Sequence, residues 1–210
     1  MREPGNNNTT FQDLFDKFEF NGATVAAFYA MLLDNLKIDY KIYLGSIPYV
    51  KAFYGGKAVD FYPKSYPESD YAYIYSSKGS FYNYLKISKT HITEQGKKDN
   101  VEELFKRYFY DTAAINLKQL AALFYMNRGM EFFWKKNYTE AYRQMEKAYF
   151  LYPCHRVRWF TGISLGAIVT KGKLSEEEKI PYLERGVELG AVYNPDEFPE
   201  LKPAASSKHP

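Results

Sequence analysis

Two periods of apolar spacing divide the chain. From Gly22 to about Lys37, Val25, Phe28, Tyr29, Leu32, Leu33 and Leu36 recur at helical spacing, and Asn21 stands where a cap is needed. Ala23, Ala26, Ala27 and Ala30 keep that helix slim enough to bury. Ahead of it, Thr10 can cap a short helix, FQDLFDKF, with Phe11, Leu14, Phe15 and Phe18 on one face, and residues 1–9 read as a flexible lead-in. The period then shortens to two. Strands are predicted over Tyr40–Leu44, Tyr49–Tyr54, Ala58–Tyr62, Asp70–Ser76 and Phe81–Ile87. Gly55-Gly56 between two of them is a tight hairpin signal, so the sheet is antiparallel. Residues 10–90 therefore read as α+β, a meander packed on the Gly22–Lys37 helix.

After a polar break at Gly96–Asn100 the pattern is helical throughout. Asp99 or Asn100 can cap, with Glu102 or Glu103 in the box position. Asn116 with Gln119 opens a helix running to about Lys136, and Asn137 with Glu140 opens another that stops near Pro153. Two helices joined by so short a turn form an antiparallel hairpin. Beyond it, Trp159 and Gly162 begin a helix that Gly172 breaks. Ser175 with Glu178 restarts the pattern, and Pro181 opens a helix holding Tyr182, Leu183, Val187 and Leu189. The expected organisation is an α+β domain over residues 10–97, a helical domain over 98–202 and a flexible tail over 203–210.

The hairpin carries Tyr125, Gly129, Phe132, Tyr138, Ala141, Ala148 and Pro153. This set resembles the tetratricopeptide repeat (TPR), in which small residues let two helix axes approach and aromatics fill between them. The residues after Pro153 look like a second, degenerate repeat. In a TPR the concave groove would be lined here by Leu123, Met126, Met130, Phe133 and Trp134. They are apolar, so they form either a groove for a protein or peptide, or a face that docks on the α+β half.

The order of buried helix, antiparallel strands and TPR-like hairpin resembles bacterial transglutaminase-like (papain-like) domains fused to TPRs. The carrying residues are FNGATVAAFYAMLLDNLKIDYKIYLG and PYVKAFYGGKAVDFYP. The resemblance implies a catalytic Cys at the start of the central helix, a His on a following strand and an Asp on the next. The Cys position falls at Gly22, Ala23 or Thr24, and none is a thiol. No His precedes His91. Asp60, in AVDFYP, stands where the orienting acid would be, so Asp60, Gly22 and Ala23 mark a relic site in a degenerate scaffold; Thr24 is a conceivable substitute nucleophile without a base nearby.

Composition narrows the function further. The net charge of +3 is spread and forms no basic stripe, which argues against nucleic acid as the main partner. No apolar run reaches the ~18 residues a membrane span needs. The start, MREPGNNNTT, lacks an apolar signal core, favouring the cytoplasm unless a leader has been removed. The single cysteine, Cys154, forms no internal disulfide, and its neighbour His155 projects about 100° away on a helix, so the two make no dyad. His91 and His209 are too scattered for metal-ligand spacing, and Gly55-Gly56-Lys57 is too short for a phosphate loop, so no cofactor or metal is expected. Tyr71, Tyr73 and Tyr75, among 21 tyrosines, alternate on one strand face, which either packs or stacks on sugars. The expected function is a non-catalytic scaffold or protein-binding module. The alternatives are a transglutaminase- or cysteine-peptidase-like enzyme acting on peptide or amide bonds, and a carbohydrate-binding Tyr-rich sheet.

Overall fold

The computed structural model describes residues 11–17, 20–45, 47–62, 78–87, 100–110 and 112–190. The described residues form a mixed α+β structure, mostly helical, with one small antiparallel sheet. Helix α1 spans Asp13–Asp16 and α2 Gly22–Asn35. The sheet follows, with β1 over Asp39–Tyr43, β2 over Tyr49–Tyr54 and β3 over Lys57–Phe61. Six further helices are α3 (Lys78–Ile87), α4 (Val101–Phe109), α5 (Leu117–Trp134), α6 (Tyr138–Leu151), α7 (His155–Lys171) and α8 (Glu176–Glu188).

The N-terminal unit is built by local signals. Asn21 caps α2 through a reciprocal box with Thr24, and the helix ends two residues before Lys37. The end is a Schellman motif: Ile38 N–H donates to Leu33 C=O at 2.9 Å, Lys37 N–H donates to Asp34 C=O at 3.1 Å, and Lys37 takes a left-handed φ of 57°. Gly55 and Gly56, at φ 58° and 74°, make the expected two-residue turn between β2 and β3. The sheet order is β1-β2-β3, with Ile42 opposite Val50 and Lys51 opposite Asp60. Ile42, Val50 and Ala52 are buried, and Tyr29 of α2 meets Phe61 of β3 at 5.3 Å between ring centroids. This face covers α2. Alternation therefore places Tyr43, Tyr49, Lys51 and Asp60 on the other face.

Several sequence expectations are corrected. The stretch Phe81–Ile87 is not a strand but lies in α3. Phe81, Tyr84 and Leu85 recur at i, i+3 and i+4, and all three are buried. The aromatic-rich composition suggested a strand, yet Phe81 packs at 5.2–5.7 Å against Phe105, Phe109 and Trp159, which a helix face delivers. Helix α1 is shorter than FQDLFDKF, buries none of its residues and is preceded by Gln12 with no side-chain cap. It touches α2 through the Phe15–Phe28 ring contact at 6.0 Å. Helix α7 begins at His155, ahead of Trp159, and Pro181 lies inside α8, which Ser175 and Glu178 open at Glu176. The expected strand Asp70–Ser76, with Tyr71, Tyr73 and Tyr75, falls outside the described residues, as do Thr10, Phe18, His91 and His209.

Asn116 and Gln119 form the capping box of α5, at 2.8 and 2.9 Å. The α5–α6 turn is tight because Asn137 has two roles. Its N–H donates to Phe132 C=O at 2.9 Å, closing α5, while its side chain accepts from Glu140 N–H at 3.3 Å, opening α6. The core is a continuous buried cluster running from Ala23 of α2 to Phe160 of α7. Ile115, just before α5, donates its N–H to Ile42 C=O at 2.8 Å and so ties the helical array to the edge of β1.

Candidate functional site

The residues singled out as a relic site are not brought together. Gly22 and Ala23 are buried in the first turn of α2. The Thr24 N–H of that turn donates to the Asn21 side chain at 2.9 Å, and the Thr24 hydroxyl donates to Asn21 C=O at 2.9 Å while accepting from Asn21 N–H at 2.8 Å. Thr24 is fully buried and its hydroxyl is engaged as a cap. Asp60 lies on the face of the sheet turned away from α2, paired with Lys51 at 3.5 Å. Its chain neighbour Phe61 takes the α2-facing side.

The apolar stripe of α5 also divides. Leu123 and Met126 are core residues at 3% and 2% exposure, and Met130 packs half-buried against the core. Phe133 is half-buried against Tyr138 at 5.5 Å, and Trp134, at the end of the helix, is exposed. Gly129 faces α6, where a Cβ would meet Ala141 O at 3.1 Å and Met145 Cε at 2.9 Å. Small residues thus bring the two axes together, as the spacing predicts. Cys154 precedes α7 with no side-chain cap bond and packs half-buried against the core, while the His155 ring meets Tyr108 edge-on at 5.3 Å.

Besides Trp134, the hairpin leaves two further aromatic side chains in the open. Phe150 of α6 is 79% exposed and Tyr125 of α5 is exposed beside it. Together with Glu146, Lys147 and Leu151 they line a groove of about 360 Å³. Lys118 lies over the Phe150 ring at 5.7 Å and Lys147 over the Tyr125 ring at 5.7 Å. With the groove's one carboxylate, Glu146, engaged by Arg185, Lys147 and the neighbouring Lys118 make its rim basic as well as aromatic. Sequence spacing offered the signal, since Lys118 and Tyr125 are seven apart on α5 and Lys147, Phe150 and Leu151 share a face of α6. Which face of the hairpin is covered follows only from what packs on it.

A second concavity, about 490 Å³, lies between the outer sheet face and α3–α4. Tyr43, Tyr49 and Lys51 line it from the strands, and Lys78, Glu102 and Lys106 from the helices. Tyr49 stacks between Tyr43 (5.4 Å, 21°) and Tyr62 (4.6 Å, 23°). Burial pushes the Tyr49 phenol up from its ordinary value, with Tyr62 and Asp60 adding and Lys51 opposing. Lys78 hydrogen-bonds one oxygen of Glu102, and Lys106 lies 3.6 Å from the other. The Lys78 bond, with both ammonium charges, holds the Glu102 carboxyl below the ordinary carboxylate range. Nothing local in the sequence links Lys51, Lys78 and Lys106, which meet only through the tertiary fold.

Among the described residues, no three of His, Cys, Asp and Glu are grouped as metal ligands would be, and no helix is long and apolar enough to cross a membrane. Comparison with family models, with curated proteins and with solved structures finds no match to this chain.

Proposed function

We propose that the protein is a non-catalytic interaction module that holds a partner polypeptide on the α5–α6 hairpin. In this reading TPR-like helices follow a degenerate transglutaminase-like unit. The observation that carries it is the basic aromatic groove of Tyr125, Lys147 and Phe150, left open on a hairpin whose other side is buried. An exposed Phe flanked by Tyr and two ammonium groups suits an acidic segment that presents one large apolar side chain. The TPR-like half of the reading is supported by the Gly129 approach to Ala141 and Met145. The α2-under-meander order supports the transglutaminase-like half. That unit carries no cysteine, and Asp60 faces away from α2, so the geometry does not favour the enzymatic alternative.

Selection from a displayed peptide library tests the proposal. Binders should carry acidic residues around one large apolar residue and lose about tenfold or more in affinity on Phe150→Glu. The melting temperature should hold, because Phe150 is a surface residue. The proposal is overturned if no saturable binder emerges, or if binders are indifferent to both Phe150→Glu and Tyr125→Ala.

A further inference from the structure

Beyond the described residues, the sequence at 194–201 runs Asn-Pro-Asp-Glu-Phe-Pro-Glu-Leu. One large ring, Phe198, thus stands among three carboxylates, Asp196, Glu197 and Glu200. Pro199 disfavours helical backbone at Phe198 and favours an extended one. In an extended run Asp196, Phe198 and Glu200 fall on the same side. The hairpin groove offers the complement. Phe150 and Tyr125 are exposed rings, Lys118 and Lys147 lie over them at 5.7 Å, and among the described residues neither lysine is in an ion pair. The path between the two is short. Helix α8 lies alongside α6 in the same direction, since Tyr182 meets Tyr142 at 5.7 Å and Arg185 bonds Glu146 and lies over Tyr149. One more turn brings α8 to its end, beside the end of α6 that carries Phe150 and Leu151. Leu189 is buried there, and Gly190, at a left-handed φ of 66°, stops the helix. Eight residues take the chain from Gly190 to Phe198, a reach of up to about 26 Å. That exceeds the width of a helix, about 10–12 Å, that it has to cross.

We propose that residues 194–201 occupy the hairpin groove of their own chain and compete there with a foreign segment. Phe198 enters between Tyr125 and Phe150, and Asp196 and Glu200 turn towards Lys118 and Lys147. This rests on the reading of the groove as a polypeptide site and adds its regulation. Charge complementarity selects the segment, and the exit of the chain from α8 selects the groove of the same molecule. A segment tethered so closely acts at an effective concentration on the order of 1 mM. With a dissociation constant of its own of about 100 μM, it weakens any competitor about tenfold. The contact therefore sets a threshold: weak acidic segments are kept out, and tight ones displace it.

The probe is a fluorescein-labelled peptide of residues 194–201, into which the full chain is titrated with anisotropy as the readout. Phe198→Ala in the full chain should bind the peptide about tenfold more tightly than wild type, because its groove is no longer filled in cis. Adding Phe150→Glu to Phe198→Ala should abolish that binding. Asp196→Asn with Glu200→Gln keeps Phe198 and should give a smaller gain in the same direction, so the test does not hang on one variant. The proposal is overturned if neither variant binds the peptide more tightly than wild type. It is overturned equally if none of the chains binds at about millimolar concentration, or if binding survives Phe150→Glu. A gain accompanied by wild-type dimers in sedimentation, absent from Phe198→Ala, assigns the segment to the groove of a second copy and overturns the cis contact. The two readings of the groove fail separately. Library binders that are lost on Phe150→Glu, with no gain from Phe198→Ala, keep the interaction module and overturn this contact. A gain from Phe198→Ala with no foreign binder keeps this contact and overturns the module.

Discussion

Arg185 of α8 reaches back to Glu146 of α6 with two hydrogen bonds, Nε to Oε1 at 3.0 Å and Nη2 to Oε2 at 3.1 Å. This paired geometry joins two helices through residues 39 apart in sequence, and the same guanidinium lies 5.5 Å over the Tyr149 ring. Both side chains keep about a third of their exposure, so solvent screens the pair. Replacing Arg185 by Gln should destabilise by about 1 kcal/mol. Lys should recover little of that, because it lacks the fork. A double-mutant cycle with Glu146→Gln under urea denaturation measures the coupling, and a coupling of zero would mean that packing through Leu183, not this pair, holds α8 in place.

The approach of α5 to α6 is set at Gly129. Alanine would gain about 1 kcal/mol in helix propensity. Its Cβ, however, would meet Met145 Cε at 2.9 Å and the Ala141 backbone oxygen at 3.1 Å. The Met145 side chain can swing aside, but the backbone oxygen moves only with its helix. The steric term should win, leaving Gly129→Ala less stable by about 1–2 kcal/mol and Gly129→Leu by more. An urea midpoint for Gly129→Ala above the wild-type value would show that the helices part easily and that the close approach is not required.

Phe81 is the hub of the aromatic cluster where α3, α4 and α7 meet. It is fully buried and touches Phe105, Phe109 and Trp159 edge-on at 5.2–5.7 Å. Truncation to Ala should cost about 3–5 kcal/mol, with Leu recovering part of the loss. Near-UV circular dichroism adds a second readout, since Trp159 loses its ring partner. Retention of wild-type stability in Phe81→Ala would place α3 outside the cooperative core.

What could be read in the sequence was what is decided within a few residues. The pairs Asn116–Gln119, Asn137–Glu140 and Ser175–Glu178 each span one helical turn, and Gly55-Gly56 dictates its own hairpin. Phe81–Ile87 reads as a strand by composition, because Phe and Tyr suit strands, while its i, i+3, i+4 spacing is that of a helix. Asp60 could be placed on a strand, but its facing required knowing that Tyr29 meets Phe61. For Leu123 and Met126, spacing shows that they share a helix face; only the packed core shows that the face is closed. Lys78 and Glu102 are 24 residues apart, and no local rule connects them.

Tyr142 gives the fold a dependence on alkaline pH. Its phenol is pushed well above the ordinary 10.0, chiefly by burial and then by the charge of Glu146. In the unfolded chain the same phenol ionises near its ordinary value, so above that pH the folded state holds a proton that the unfolded state has released. Stability from this group is therefore fully present below pH 10 and falls as pH rises from there towards the folded pKa. The limit for one proton is about 1.4 kcal/mol per pH unit. Burial raises Tyr40 and Tyr49 in the same direction, so part of the slope remains without Tyr142. Urea midpoints across the alkaline range should fall more steeply for wild type than for Tyr142→Phe. Parallel curves would mean that Tyr142 ionises alike in the folded and unfolded chains, and that Glu146 is held by Arg185 without burdening its neighbour.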